Sequence, residues 1–176
     1  MQTALVTHIQ PAVSLLEKTP VALETLLGDL PADLLQWKPA PDRWSISEVL
    51  AHLADIEKVY SERVRRIIAE DSPALQKYEQ PGPSEAGAYS RGSAAEHLAR
   101  FAATRRAAVV FLKGAPSSVG ARTAKHSELG VITLSQMLNE WASHDLGHLR
   151  QIAELYRARA FHPHSGPFQK YSNPKP

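Results

Sequence analysis

The sequence predicts an all-α protein, a four-helix bundle with long connections between its helices. Two observations carry that expectation. Three segments open on a capping box followed by apolar residues at helical spacing, and a fourth helical stretch precedes them. No alternating apolar run marks a strand. At 176 residues the chain suits one domain, 1–176, with a core over about 3–160 and a proline-rich tail over 162–176.

The first helix is read from Leu5, Val13, Leu16, Leu23, Leu26 and Leu27, and Gly28 stops it. Pro20 after Thr19 is expected to restart or kink it, since proline suits a first helical turn. Ser45-Ile46-Ser47-Glu48 opens the second helix, with Trp44 and Val49 spaced as a hydrophobic staple. Its stripe runs through Ile46, Val49, Leu50, Leu53, Ile56, Tyr60, Val64, Ile67 and Ile68, and ends near Asp71-Ser72-Pro73. Ser93-Ala94-Ala95-Glu96 starts the third, carried by Leu98, Phe101, Ala102, Val109 and Leu112 to Gly114. Thr133-Leu134-Ser135-Gln136 starts the fourth, with Ile132 and Met137 as staple. It continues through Leu138, Trp141, Leu149, Ile152, Leu155 and Tyr156. The connections, roughly 30–44, 72–92 and 115–132, are long enough to be functional or to cover something. The tail from His162, with Pro163, Pro167, Pro174 and Pro176, is expected to be extended.

Composition excludes several classes of function. Apolar residues make up 43% and charged residues 22%, the balance of a globular protein. Twenty Lys and Arg against 18 acids leave a net charge of +2, too even for a dedicated nucleic-acid binder. The Arg63-Val64-Arg65-Arg66 run reads as a solvated helix face. No stretch reaches the ~18 apolar residues of a membrane span, and the N-terminus lacks a secretion signal, so a cytoplasmic protein is expected, without membrane partners. There is no cysteine, which removes disulfides, thiolate ligands and a cysteine nucleophile. A metal would have to be held by nitrogen and oxygen, and the chain has eight histidines.

His144 and His148, four apart on the last helix, point to one side of it. Helical projection puts both on the inward half and puts His52 at the border of the second helix's polar face. Such a pair also fits two partly buried histidines satisfied by carbonyls or water. Asp145 and Glu57 project inward too, and inward carboxylates need partners. They could take the second N–H of ligating histidines, or pair structurally with Arg or Trp. Three imidazoles on two facing helices would leave an open coordination position, as catalytic metal sites do. Zn²⁺ suits imidazole first, then Ni²⁺, Fe²⁺ or Co²⁺.

Arg43 to Glu57 (RWSISEVLAHLADIE) and Trp141 to Ile152 (WASHDLGHLRQI) resemble the two signature helices of the DinB/YfiT-like family. The resemblance spans roughly 10–170 and takes in Thr19-Pro20, Glu70-Asp71-Ser72-Pro73 and the His126, Gly130 and Thr133 turn. It implies an up-down-down-up bundle, often a homodimer, with a divalent metal on His52, His144 and His148. It also implies a metal-dependent transferase that activates a low-molecular-weight thiol, such as bacillithiol or mycothiol, for attack on an electrophilic small molecule. The alternatives are a metal-dependent hydrolase with hydroxide as nucleophile and a non-catalytic metal-binding or stress-response module. Without cysteine in the chain, the sulfur would come from outside. Tyr60, Arg150, Gln151 and His126 are candidates to contact substrate. No residue is assigned as catalytic. His8, His97, His162 and His164 read as surface or packing residues.

Overall fold

The computed structural model describes residues 9–79, 89 and 91–176. Leu5 and His8 lie outside the described residues. Four long helices form the bundle: α1 Gln10–Leu27, α3 Ile46–Ala69, α4 Ala94–Gly114 and α5 Leu134–Tyr156, with a short α2, Ala32–Gln36, in the first connection. All three capping boxes form. Glu48 accepts from the Ser45 amide at 2.8 Å, Glu96 from the Ser93 amide at 2.7 Å, and Gln136 from the Thr133 amide at 2.8 Å.

Side-chain pairs fix the directions of the helices. Glu17 pairs with Lys113 and Glu24 with Arg106, so α1 and α4 are antiparallel. Asp55 meets Arg100 and Glu57 meets Arg105, so α3 and α4 are parallel. His52 contacts His148, and Tyr60 stacks on Trp141, so α3 and α5 are antiparallel. The order is therefore up-down-down-up. In cross-section α1 touches α4 and α5, and α3 touches the same two. Two of the chain's three long connections thus link diagonal helices, α1 to α3 and α4 to α5.

Three features differ from the sequence reading. The first is a small sheet: β1 (Ala74–Leu75) pairs in parallel with β2 (Thr123–His126), which forms an antiparallel hairpin with β3 (Gly130–Thr133). These strands are too short to show alternation. Ala124 is buried in the core, and the His126 ring accepts the Glu128 and Leu129 amides, which closes the turn. The second is that α1 runs unbroken through Pro20. The third is the tail, which winds through helical turns at Arg157–Phe161, His162–His164 and Gly166–Tyr171 before its last residues extend. Those last residues return to the bundle, where the Lys175 amide donates to Glu154 at 3.0 Å and Arg43 donates to the Pro176 carbonyl at 2.6 Å. Among the described residues no helix is long and apolar enough to cross a membrane.

Candidate metal centre

The antiparallel packing of α3 and α5 brings His52, near the start of α3, to the middle of α5. His144 Nε2 lies 3.2 Å from both His52 Nε2 and His148 Nε2. One nitrogen from each ring falls within 4.8 Å of the others. His52 is fully buried, not at a border: Trp44 stacks beside its ring at 5.0 Å and Tyr89 at 5.9 Å. Helical projection sees only one helix, whereas the loops before α3 and α4 supply these covering rings.

Burial, and then the neighbouring imidazoles, push the His52 pKa down to about 3. Burial, and then His148, push His144 down to about 4, while burial alone lowers His148, against the pull of Gln151 and Asp145. All three rings are therefore neutral at pH 7. His148 Nδ1–H donates to Gln151 Oε1 at 2.9 Å, which leaves the His148 Nε2 lone pair facing the other two rings. With a lone pair on each Nε2, the three nitrogens would repel one another unless a cation accepted them. Nitrogens at about 2.05 Å from one ion and 3.2 Å apart subtend roughly 100°, close to the tetrahedral angle expected of zinc. The residues fit a divalent metal of imidazole preference.

Beneath the triad is a buried ionic cluster. Arg105 of α4 donates from Nε and Nη2 to Glu57 at 2.8 and 2.7 Å, and from Nη1 and Nη2 to Asp145 at 2.6 and 3.0 Å. Its remaining N–H goes to the Leu16 carbonyl at 3.0 Å. Every guanidinium donor is used. That carbonyl is free because residue 20, its helical partner, is proline and has no N–H. Phe101 and Trp141 flank the guanidinium at 4.7 and 4.9 Å. Burial works against the charge of Arg105, but its two carboxylates outweigh that and raise its pKa. Burial raises Glu57 above the ordinary carboxylate range, against the pull of Arg105. With three donors on its two oxygens, counting Trp141 Nε1 at 3.2 Å, Glu57 is held as the anion.

Of the two roles open to Glu57 and Asp145, the structure assigns the pairing with Arg and Trp: neither bonds to an imidazole of the triad among the described residues. Sequence reasoning missed Arg105. It falls on the apolar stripe Phe101, Ala108, Val109 and Leu112, and a lone arginine there was the available signal.

Two cavities meet at His144. One, of about 730 Å³, follows the C-terminal half of α5 past His148, Arg150 and Gln151. The other, of about 710 Å³, follows its N-terminal half and is lined by Tyr60, His126, Val131, Ile132 and Met137. Tyr60, Arg150, Gln151 and His126 are thus all brought to cavities that touch the triad. Burial, then nearby Glu140, pushes the Tyr60 hydroxyl up to about 12, so it stays protonated. His97 is a buried packing residue, whereas His162 and His164 lie in the tail.

The DinB superfamily model matches residues 15–152. A protein of Oceanobacillus iheyensis, provisionally named a metal-dependent hydrolase, is 24% identical over 144 residues, covering 82% of this chain and 83% of that one. Among solved structures, YfiT from Bacillus subtilis superposes with a TM-score of 0.77 at 21% identity, covering 90% of this chain and 91% of that one. YfiT too is provisionally described as a metal-dependent hydrolase, with an unusual four-helix bundle topology.

Proposed function

This chain belongs to the DinB superfamily, and from that premise we propose that it is a metal-dependent transferase that joins a low-molecular-weight thiol to an electrophilic small molecule. One observation carries the choice: His144 lines two separate cavities, which gives two reactants room beside one triad. A divalent metal, zinc by the preference of imidazole, supplies Lewis acidity that lowers the pKa of a bound thiol or water.

The chain's own residues do the rest. His52, His144 and His148 stay unprotonated at neutral pH and present lone pairs. Gln151 holds the His148 tautomer. Trp44 and Tyr89 cover the buried side of His52 and keep water from it. The thiol gives up its proton to solvent, the sulfur attacks the electrophilic carbon as a C–S bond forms, and the bond to the leaving group breaks with its electron pair going to that group. Tyr60, protonated on the wall of the second cavity, can donate a hydrogen bond to that leaving group. No cysteine competes for the metal.

The second reading is a metal-dependent hydrolase, favoured by the provisional names of the relatives. Metal analysis comes first: stoichiometric metal in the wild type, lost in His144→Ala, is expected, and unchanged content in that variant defeats both readings. Thiols are then titrated into Co²⁺-loaded protein. A sulfur-to-metal charge-transfer band supports the transferase, and no band with any biological thiol favours the hydrolase.

A further inference from the structure

The two cavities beside the triad differ in charge. The one along the N-terminal half of α5 is balanced, with Arg63 and Lys77 against Glu128 and Glu140. The other has four cationic side chains, Arg43, Arg150, Arg157 and Lys175, against one acidic side chain, Glu154. Glu154 is itself engaged: it accepts from the Lys175 amide and pairs with Arg157 Nη2 at 3.4 Å. Arg157 Nε is shielded from solvent and has no acceptor among the described residues. Arg43 already donates to an oxygen, the main-chain oxygen of Pro176 at 2.6 Å. A guanidinium in that position can take an oxyanion through two parallel N–H bonds.

We infer that this cavity is an oxyanion subsite, in which Arg43, Arg150, Arg157 and Lys175 hold the carboxylate or phosphate of a ligand whose other end reaches His144 and His148. Asn173, Lys175 and Pro176 of the tail form one wall of it, so a ligand oxyanion takes the place of the Pro176 oxygen on Arg43. On the transferase reading, on which this assignment of the ligand rests, the thiol is the anionic reactant. The uncharged electrophile then occupies the balanced, more apolar cavity.

Matched probes test this. Co²⁺-loaded protein is titrated with 3-mercaptopropionate and with its neutral amide, with the charge-transfer band as readout. The carboxylate is expected to saturate at a concentration lower by about tenfold or more. Raising salt from about 0.05 to about 0.5 M should close that gap, because an exposed charge pair is screened. Arg150→Gln and Arg157→Gln, both on the cavity wall, should each narrow it too. In parallel, calorimetry of the metal-free and zinc-loaded protein uses succinate and methyl phosphate, neither of which carries sulfur. Binding of either, weakened by salt and by both variants, supports the subsite, and the tighter of the two names the oxyanion. Equal affinity for the charged and neutral thiols overturns the subsite and leaves the transferase reading standing. No band with either thiol, together with salt-sensitive succinate or phosphate binding, keeps the subsite and removes the transferase.

Discussion

Replacing Arg105 with methionine should cost about 3–5 kcal/mol at pH 7, the usual range for breaking a buried ion pair from one side. The magnitude can be worked from the cluster. Arg105 and its two carboxylates are at most 1% exposed, so water does not replace the lost donors. The variant relieves the repulsion by taking up a proton on Glu57 or Asp145. From the ordinary glutamate value of 4.5, holding that proton at pH 7 costs about 2.5 × 1.36, or roughly 3.4 kcal/mol. The Leu16 carbonyl also loses its donor, and Pro20 cannot supply another, which adds about 1 kcal/mol. The sign with pH follows. A carboxylate whose folded pKa is raised stabilises the folded state below its unfolded pKa, and that contribution is lost as pH rises. The deficit of Arg105→Met relative to wild type should therefore shrink by about 1 kcal/mol per unit as pH falls from 7 to 5. Urea unfolding of the metal-free proteins at pH 5, 6 and 7 measures it. Adding Asp145→Asn should restore part of the loss. A deficit that is the same at pH 5 and 7 would mean that only packing was lost, and the electrostatic account would be wrong.

Gln151→Leu removes the acceptor that sets the His148 tautomer. Metal affinity should fall about 10–100-fold, as is usual when a ligand's outer partner is lost. Competition with a chromophoric chelator reads it, and an unchanged affinity excludes that role. The metal-free wild type should lose stability as pH falls from about 6.5 towards 4. There the unfolded histidines take up protons that folded His52 and His144, held down to about 3 and 4, refuse. Glu57, raised by burial, works in the opposite direction, but one carboxylate is set against three imidazoles. Denaturant midpoints across that window check it, and a flat or rising profile on acidification contradicts the burial of neutral rings.

What was legible in the sequence was what depends on neighbours along the chain. The capping boxes at Ser45, Ser93 and Thr133 are four-residue devices, so their residues alone announce the helix starts. His144 and His148 share a face for the same local reason. His52 could be placed by projection only at the border of its helix, because its burial comes from Trp44 and Tyr89, which lie outside α3. The hairpin was hidden because four-residue strands leave too little alternation to read, and its parallel partner β1 is nearly fifty residues from β2. The tail was hidden because proline content suggests extension, whereas Pro163 and Pro167 each fall in the first turn of a short helical segment, where proline is tolerated.

Pro20 shows most clearly why some of the site was out of reach. Read locally, a proline inside a helical stripe argues for a break, because it deletes one i→i−4 bond and leaves a carbonyl without a donor. The helix nevertheless continues, and the orphaned Leu16 carbonyl is the one that Arg105 needs. Two carboxylates can accept only four of the five guanidinium donors in this arrangement, and a buried fifth N–H would otherwise stand unpaired at a cost of about 1–3 kcal/mol. The missing amide in α1 thus completes the hydrogen bonding of a cation in α4, which in turn fixes Asp145 one residue from His144 of the triad. A sequence defect on one helix and an apparent misfit on another are each unfavourable alone and compensate each other only once the bundle has formed. Replacing Pro20 with alanine should accordingly leave α1 helical, yet supply an amide that competes with Arg105 for the Leu16 carbonyl.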